Sequence, residues 1–246
     1  MRSLYLRVVG ALALTAAIAA AALAVTYSAT KNRIATREAA DRKAALSQIF
    51  FEHKNIEGNF HLEVEERFLD SNRESFFVIK ESNALGESDE LYYVFQGAGI
   101  GYTTSSPIQI LVAFTNPNLD ARPLLEGYVP ASKLPEEGKK GLYIVGWRVT
   151  QSQETPGLGE KIKDEEAVNT WTGILTGTQP DPEKVKDRAT PFQKQFRGML
   201  PATIALKKDG GEVDSITAAT YTVNGVIDAM RNAAEKANEY FKKTSP

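Results

Sequence analysis

The run Asp214-Ser215-Ile216-Thr217-Ala218-Ala219-Thr220 stands where a short β-forming segment gives way to a long amphipathic one. Downstream, Thr222 to Phe241 places Val223, Val226, Ile227, Met230, Ala233, Ala234, Ala237 and Phe241 on one stripe, which predicts a helix with one buried face. Upstream, Glu212 to Ile216 reads as a return strand after a turn at Lys207-Lys208-Asp209-Gly210-Gly211. The junction is built of hydroxyls and small side chains, so a bulky group can approach its backbone. A helix starting near Thr220 points unsatisfied N–H groups and a partial positive charge at this loop, a suitable seat for a phosphate anion. On the residues alone, capping of the helix by Asp214, Ser215 or Thr217 is the simpler reading.

Working outward, the chain alternates strand and helix signals. Ser75 to Ile79 and Leu91 to Phe95 are aromatic and β-branched runs bounded by turn formers. Ile108, Ile110, Val112 and Phe114 alternate along one strand face before the turn Asn116-Pro117-Asn118. Leu142 to Thr150 and Ala202 to Leu206 read as two more strands. Thr190-Pro191 has the form of an N-cap followed by proline at the first helical position. Phe192 and Phe196 then share a face until Gly198 ends that helix. Ile34 to Phe51 reads as a separate juxtamembrane helix with Ile34, Ala45, Leu46, Ile49 and Phe50 inward. The fold class is α+β, a single mixed domain behind one N-terminal transmembrane helix. The expected divisions are 1–30 (anchor), 31–95 (juxtamembrane helix and start of the soluble domain) and 96–240 (ligand-binding domain).

The anchor expectation rests on Val8 to Thr30, a run free of charge and dominated by Ala, Leu, Val and Ile. At about 1.5 Å per residue such a helix spans the roughly 30 Å hydrocarbon layer. Arg2 and Arg7 would also suit a signal peptide, but the apolar run is long for one and lacks a clear small-x-small cleavage site. Basic residues flank both ends: Arg2 and Arg7 before it, and Lys31, Arg33, Arg37, Arg42 and Lys43 after it. Read by charge alone, the larger basic cluster would place the main domain in the cytoplasm.

Composition excludes several chemistries. With 29 basic against 31 acidic residues and a net charge of -2, no global field points to nucleic acid. The absence of cysteine removes disulfides, thiolate metal sites, thioether-linked haem and a cysteine nucleophile. His53 and His61, with Glu57 between them, are more simply two isolated histidines than metal ligands. Gln96-Gly97-Ala98-Gly99-Ile100-Gly101-Tyr102 fails as a dinucleotide fingerprint, because its third glycine comes one place early and no helix follows. Ser215, Thr217 and Thr220 have no glycine–serine elbow around them that would mark a hydrolase nucleophile. Glu154-Thr155-Pro156-Gly157-Leu158-Gly159 fits a stiff turn that presents Glu154, Thr155 and Leu158 as a wall for a flat ring.

Taken in order, the N-terminal anchor, the Glu154–Gly159 loop, the segment Gln195-Phe196-Arg197-Gly198 and the Asp214–Thr220 run resemble the FMN-binding domain family. Its members include the G subunit of the Rnf electron transport complex and the C subunit of the sodium-translocating NADH:quinone reductase. The resemblance implies an Asp-x-x-Ser/Thr-Gly/Ala-Ala-Thr attachment pattern, met here by Asp214, Thr217, Ala218, Ala219 and Thr220. In that pattern a flavin transferase esterifies the last threonine, Thr220, with the FMN phosphate. Many members have glycine where this chain has Ala218, and alanine restricts the backbone there. By the same analogy Ser215, Glu154, Thr155, Gly157 and Leu158 line the flavin site. The resemblance implies an electron-relay subunit with covalent FMN in an ion-translocating membrane redox complex, and no catalytic acid, base or nucleophile. Its partners would be the other subunits of the complex, its membrane the bacterial inner membrane, and its soluble domain extracytoplasmic. The alternatives are a flavinylated reductase component outside an ion pump, or an unmodified anchored scaffold.

Overall fold

The computed structural model describes residues 2–50, 62–69, 74–82, 88–155, 159–163 and 189–244. His53, His61 and Glu57 lie outside them, as do Pro156, Gly157 and Leu158. The chain divides into two compact units, Met1–Lys43 and Ala44–Pro246.

The first unit is helical throughout its described residues, as part of α1 (Arg2–Ile49). Within it Val9–Ile34, 26 residues, is long and apolar enough to cross a membrane, and none of it is buried in protein. The helix expected from Ile34 is present, as the continuation of α1 to Ile49. No glycine or proline stands between Val25 and Phe51, so nothing in the sequence interrupts the helical ladder there.

In the second unit, β1 (Leu62–Phe68), β2 (Ser75–Ser82), β3 (Ser88–Gly99), β4 (Ile108–Thr115) and β5 (Ile144–Gln151) form one antiparallel sheet in the order β1-β2-β3-β4-β5. Helices α2 (Ala121–Leu125), α3 (Pro191–Lys194) and the terminal α4 (Thr220–Thr244) accompany it. Both faces of the sheet are covered, which is why β4 is buried along almost its whole length. Phe76, Val78, Phe95, Ile108, Ile110, Val112 and Phe114 pack toward α4. Ile79, Tyr92, Val94, Leu111, Ala113 and Val145 pack on the other side against Ala45, Leu46, Ile49 and Phe50. The short helix α2 joins that second layer, with Asp120 accepting from the Arg122 N–H as its N-cap. All the stripe positions from Val223 to Ala237 are buried, as the spacing predicts.

The terminal helix lies unusually close to the sheet. A Cβ on Gly97 or Gly99 of β3 would collide with the carbonyl oxygens of Ala229 and Gly225. A Cβ on Gly225 would fall 2.8 Å from the Gly101 nitrogen. The glycines that fail as a dinucleotide fingerprint are therefore the bed on which α4 rests.

Two expected strands are corrected. Residues 202–206 contain a 3-10 turn (Pro201–Thr203), and the return segment reduces to an isolated bridge between Leu206 and Val213. Pairing onto β5 does begin, with Ile144 N–H donating to Met199 and Gly198 N–H to Ile144. The contact stays at Ile144, the first residue of β5, and Pro201, with φ fixed, then opens the 3-10 turn. Conversely, β1 is a strand the composition hides, because Glu63, Glu65, Glu66 and Arg67 dominate it. It is an edge strand, and charge is how edges avoid further pairing. Arg67 bonds Glu65 at 2.9 Å and Glu90 at 2.6 Å, and Lys80 also pairs with Glu65.

Replacing Gly99 by alanine is expected to cost about 3 kcal/mol, since the obstruction is backbone and the helix must lift. Denaturant unfolding of the full chain in detergent measures it. The Arg67 and Lys80 bonds hold the Glu65 carboxyl down at about 2 from an ordinary 4.5. A depressed carboxyl stabilises the fold above its unfolded value and loses that contribution as pH falls through the folded one. The Tm advantage of the wild type over Glu65→Gln is therefore expected to be present above pH 4.5 and to vanish on approach to pH 2.

Candidate functional site

The start of α4 is set by the Asp214–Thr220 run. Ala219 N–H donates to Ile216 in a turn, and the helical ladder opens with Val223 N–H donating to the Ala219 carbonyl at 3.0 Å. The amides of Thr220, Tyr221 and Thr222 thus precede the first acceptor and find none among the described residues. No side chain among those residues caps them. Asp214, part of the simpler capping reading, is exposed and paired with Lys207 at 2.7 Å. Ser215 Oγ lies 3.4 Å from Thr220 Oγ1, placing two hydroxyls side by side at the open helix end. Thr220 is half-buried, while Thr217 and Ala218 are exposed and Ala219 is buried.

Ala218 has φ +62°, the left-handed region. That conformation swings the chain from the loop into the helix, and it is strained for any residue with a Cβ. The run is held from below by the preceding segment. Gln195 Oε1 accepts from the Asp214 N–H at 2.7 Å, and Gln195 directly follows α3. That helix has the predicted Thr190 cap and proline start, completed by a reciprocal bond from Thr190 N–H to Gln193. Phe196, fully buried, packs edge-on against Trp147 at 5.6 Å and Phe192 at 5.3 Å. Gln195 is thereby fixed beside the Asp214–Thr220 run.

Glu154 is turned inward instead of being presented at the surface. Its carboxylate, with the residue 5% exposed, accepts from the N–H groups of Tyr102 at 3.3 Å and Thr103 at 3.2 Å. It also accepts from the hydroxyl of Thr222, itself 2% exposed. A Cβ on Gly101 would strike this carboxylate, and one on Gly159 would lie 2.8 Å from Thr222 Oγ1. One side chain therefore ties the loop after β3, the loop after β5 and the first turn of α4 together. Thr155 is exposed.

The fold brings Asp214, Ser215, Thr217 and Thr220 to one place, as their order in the chain implies, and puts Glu154 against their helix. Reasoning from the residues misses Thr222, Tyr102 and Tyr221. Thr222 did carry a signal: a hydroxyl in line with Val226 and Ala229 on a buried stripe requires an acceptor from another segment.

The profile of the FMN-binding domain matches residues 138–235, which include β5, Glu154, the Asp214–Thr220 run and most of α4. This segment is similar to the FMN-binding domain family. The profile of the RnfG N-terminal region matches residues 5–49. Proteins named as the G subunit of the ion-translocating oxidoreductase complex are similar over most of their length. The one from Photorhabdus laumondii is 26% identical over 91% of this chain and 85% of its own. That of Yersinia pestis is 29% identical over the same shares, 91% and 85%. That of Escherichia coli K12 is 26% identical over 90% and 85%. No solved structure matches the chain significantly.

Within the segment that the profile matches, Ala218 is a strained point. Ala218→Gly is expected to stabilise the fold by about 1 kcal/mol, the left-handed penalty outweighing the entropy glycine adds to the unfolded chain. A rise in unfolding midpoint without change in its slope checks this.

Proposed function

We propose that this chain is an electron-relay subunit of an ion-translocating oxidoreductase complex and carries FMN as a phosphoester on Thr220. The observation that supports it most directly is the start of α4. There the Thr220 hydroxyl stands half-exposed beside three consecutive amides that have no acceptor among the described residues. A phosphodiester keeps one negative charge, and this donor set with the positive end of a 25-residue helix fits it. The small side chains of Ala218 and Ala219 leave room for the ester beside the hydroxyl. FMN supplies one- and two-electron chemistry when bound. The chain's own residues fix where it hangs: Glu154 holds the helix start to the neighbouring loops, and Gln195 holds the attachment run.

The match to the RnfG N-terminal region, and the names of the relatives, favour an Rnf-type complex over a quinone reductase. Val9–Ile34 serves as the membrane anchor of this subunit. A flavin transferase acting on Asp214–Thr220 loads the cofactor from a flavin dinucleotide: the Thr220 oxygen bonds the FMN phosphorus, the donor's pyrophosphate bond breaks, and the nucleoside monophosphate leaves with the hydroxyl proton. Such loading puts the domain on the extracytoplasmic side of the bacterial inner membrane, against the reading from flanking charge. Partner subunits carry out substrate turnover, and no acid or base is assigned here.

Chain produced together with a flavin transferase is expected to stay fluorescent after denaturing electrophoresis and to carry the added mass of FMN. Thr220→Val removes the acceptor oxygen at nearly constant volume. It is expected to abolish the covalent label while the fold keeps its stability to within about 0.5 kcal/mol of wild type. Label that persists on the Thr220→Val variant moves the attachment elsewhere.

A further inference from the structure

Asp214 is held at two points by residues that lie outside its own run. Its backbone N–H donates to Gln195 Oε1 at 2.7 Å, and its Oδ2 accepts from Lys207 Nζ at 2.7 Å. Neither bond serves the helix. Asp214 caps no amide of α4 among the described residues, and its ion pair, with side chains 61% and 59% exposed, adds little stability. The holders are themselves fixed. Gln195 follows the capped start of α3, and its carbonyl accepts from Lys133 Nζ at 3.4 Å. The Lys207 N–H donates to the Val213 carbonyl at 2.9 Å, beside the bridge between Leu206 and Val213. The turn that joins them is tight, because a Cβ on Gly211 would fall 2.1 Å from the Ala205 carbonyl oxygen. Lys207 therefore starts from a set place and reaches the residue after Val213. Oδ1 of Asp214 takes no bond among the described residues. The result is a carboxylate with one oxygen anchored and the other open. Its offset from Thr220 is set by the turn in which Ala219 N–H donates to Ile216.

An exposed carboxylate that is restrained at both ends, yet idle in the fold, is suited to being read by another molecule. Resting on the proposal that a flavin transferase loads FMN onto Thr220, we propose that Gln195 and Lys207 are positioning residues that determine the specificity of this loading. The carboxylate they aim docks the chain on the transferase, while Thr220 presents its oxygen to the FMN phosphorus of the dinucleotide. That oxygen gains the phosphoryl group, the pyrophosphate bond breaks, and the nucleoside monophosphate departs with the hydroxyl proton. Lys207 touches neither the donor nor the bond that forms; it acts through Asp214. A loose run would have to order the Asp214 backbone and side chain on docking, which costs affinity; the two bonds order them beforehand. The recognised feature thus extends beyond Asp214–Thr220 to residues seven and nineteen places upstream of Asp214.

The test follows covalent flavin fluorescence on the full chain in detergent, with purified flavin transferase and flavin dinucleotide, over a range of chain concentrations. Lys207→Met is expected to raise the KM for the chain about tenfold, the scale of ordering one long side-chain contact. The kcat and the KM for the dinucleotide are expected to stay unchanged, the pattern of lost docking alone. Lys207→Arg keeps the cation and is expected to restore the KM. Gln195→Leu removes the acceptor of the Asp214 N–H and is expected to act in the same direction. In Asp214→Asn, which has lost the charge, adding Lys207→Met is expected to change nothing further. Unchanged unfolding midpoints separate loss of docking from loss of fold. If Lys207→Met leaves the KM for the chain as it was, or lowers it because a released carboxylate docks better, the inference falls while Thr220 attachment stands. A further tenfold loss in the Asp214→Asn background puts Lys207 on the transferase or its donor and equally overturns it. Wild-type chain that takes no covalent flavin would instead sink the attachment reading itself.

Discussion

The close seating of α4 on β3 governs the rest of the molecule. Gly97 and Gly99 leave the sheet surface bare, and Gly225 and Ala229 leave the helix surface nearly so. Backbone then meets backbone, which fixes the height and the axial position of the helix together. A helix resting on larger side chains has several rotamer-dependent positions; this one has a single depth. Its first turn, and with it Thr220, consequently ends at a defined point beside the loop that follows β3.

A second constraint works on that same end. The Glu154 carboxylate accepts from Tyr102, Thr103 and Thr222, so three segments far apart in the chain share one acceptor. An inward carboxylate held in this way by amides and a hydroxyl is suited to orientation, since each bond has a fixed direction. The Gln195 contact to Asp214 does similar work at the start of the Asp214–Thr220 run. The exposed Asp214–Lys207 pair contributes little to stability, being screened by solvent.

Much of this was legible in the residues. The apolar stripe of α4, the alternation in β4, the Thr190-Pro191 start and the small-residue junction before Thr220 each follow a local rule, and local rules survive folding. The parts that were hidden depend on distant partners. β1 carries no strand signal of its own, and its charges find their partners only when Lys80 and Glu90 are placed beside Glu65 and Arg67. Residues 202–206 read as a strand, yet Pro201, with φ fixed, turns the chain into a 3-10 turn there. Glu154 reads as a presented side chain because nothing in its own loop shows that Thr222 and the Tyr102 amide will surround it. The glycines at 97, 99 and 101 could be seen to fail one motif, but their use became visible only with the helix laid across them.

The backbone seam between β3 and α4 has a consequence for any group that gains and loses electrons at the helix start. Charge on such a group changes repeatedly, and each change pulls on the dipoles around it. Where side chains separate helix from sheet, those dipoles follow the charge, and the motion slows every transfer. Here the peptide groups of Gly97 and Gly99 meet those of Ala229 and Gly225 with no side chain between them. They are already arranged before the charge arrives, so the nuclear reorganisation that accompanies electron transfer is kept small.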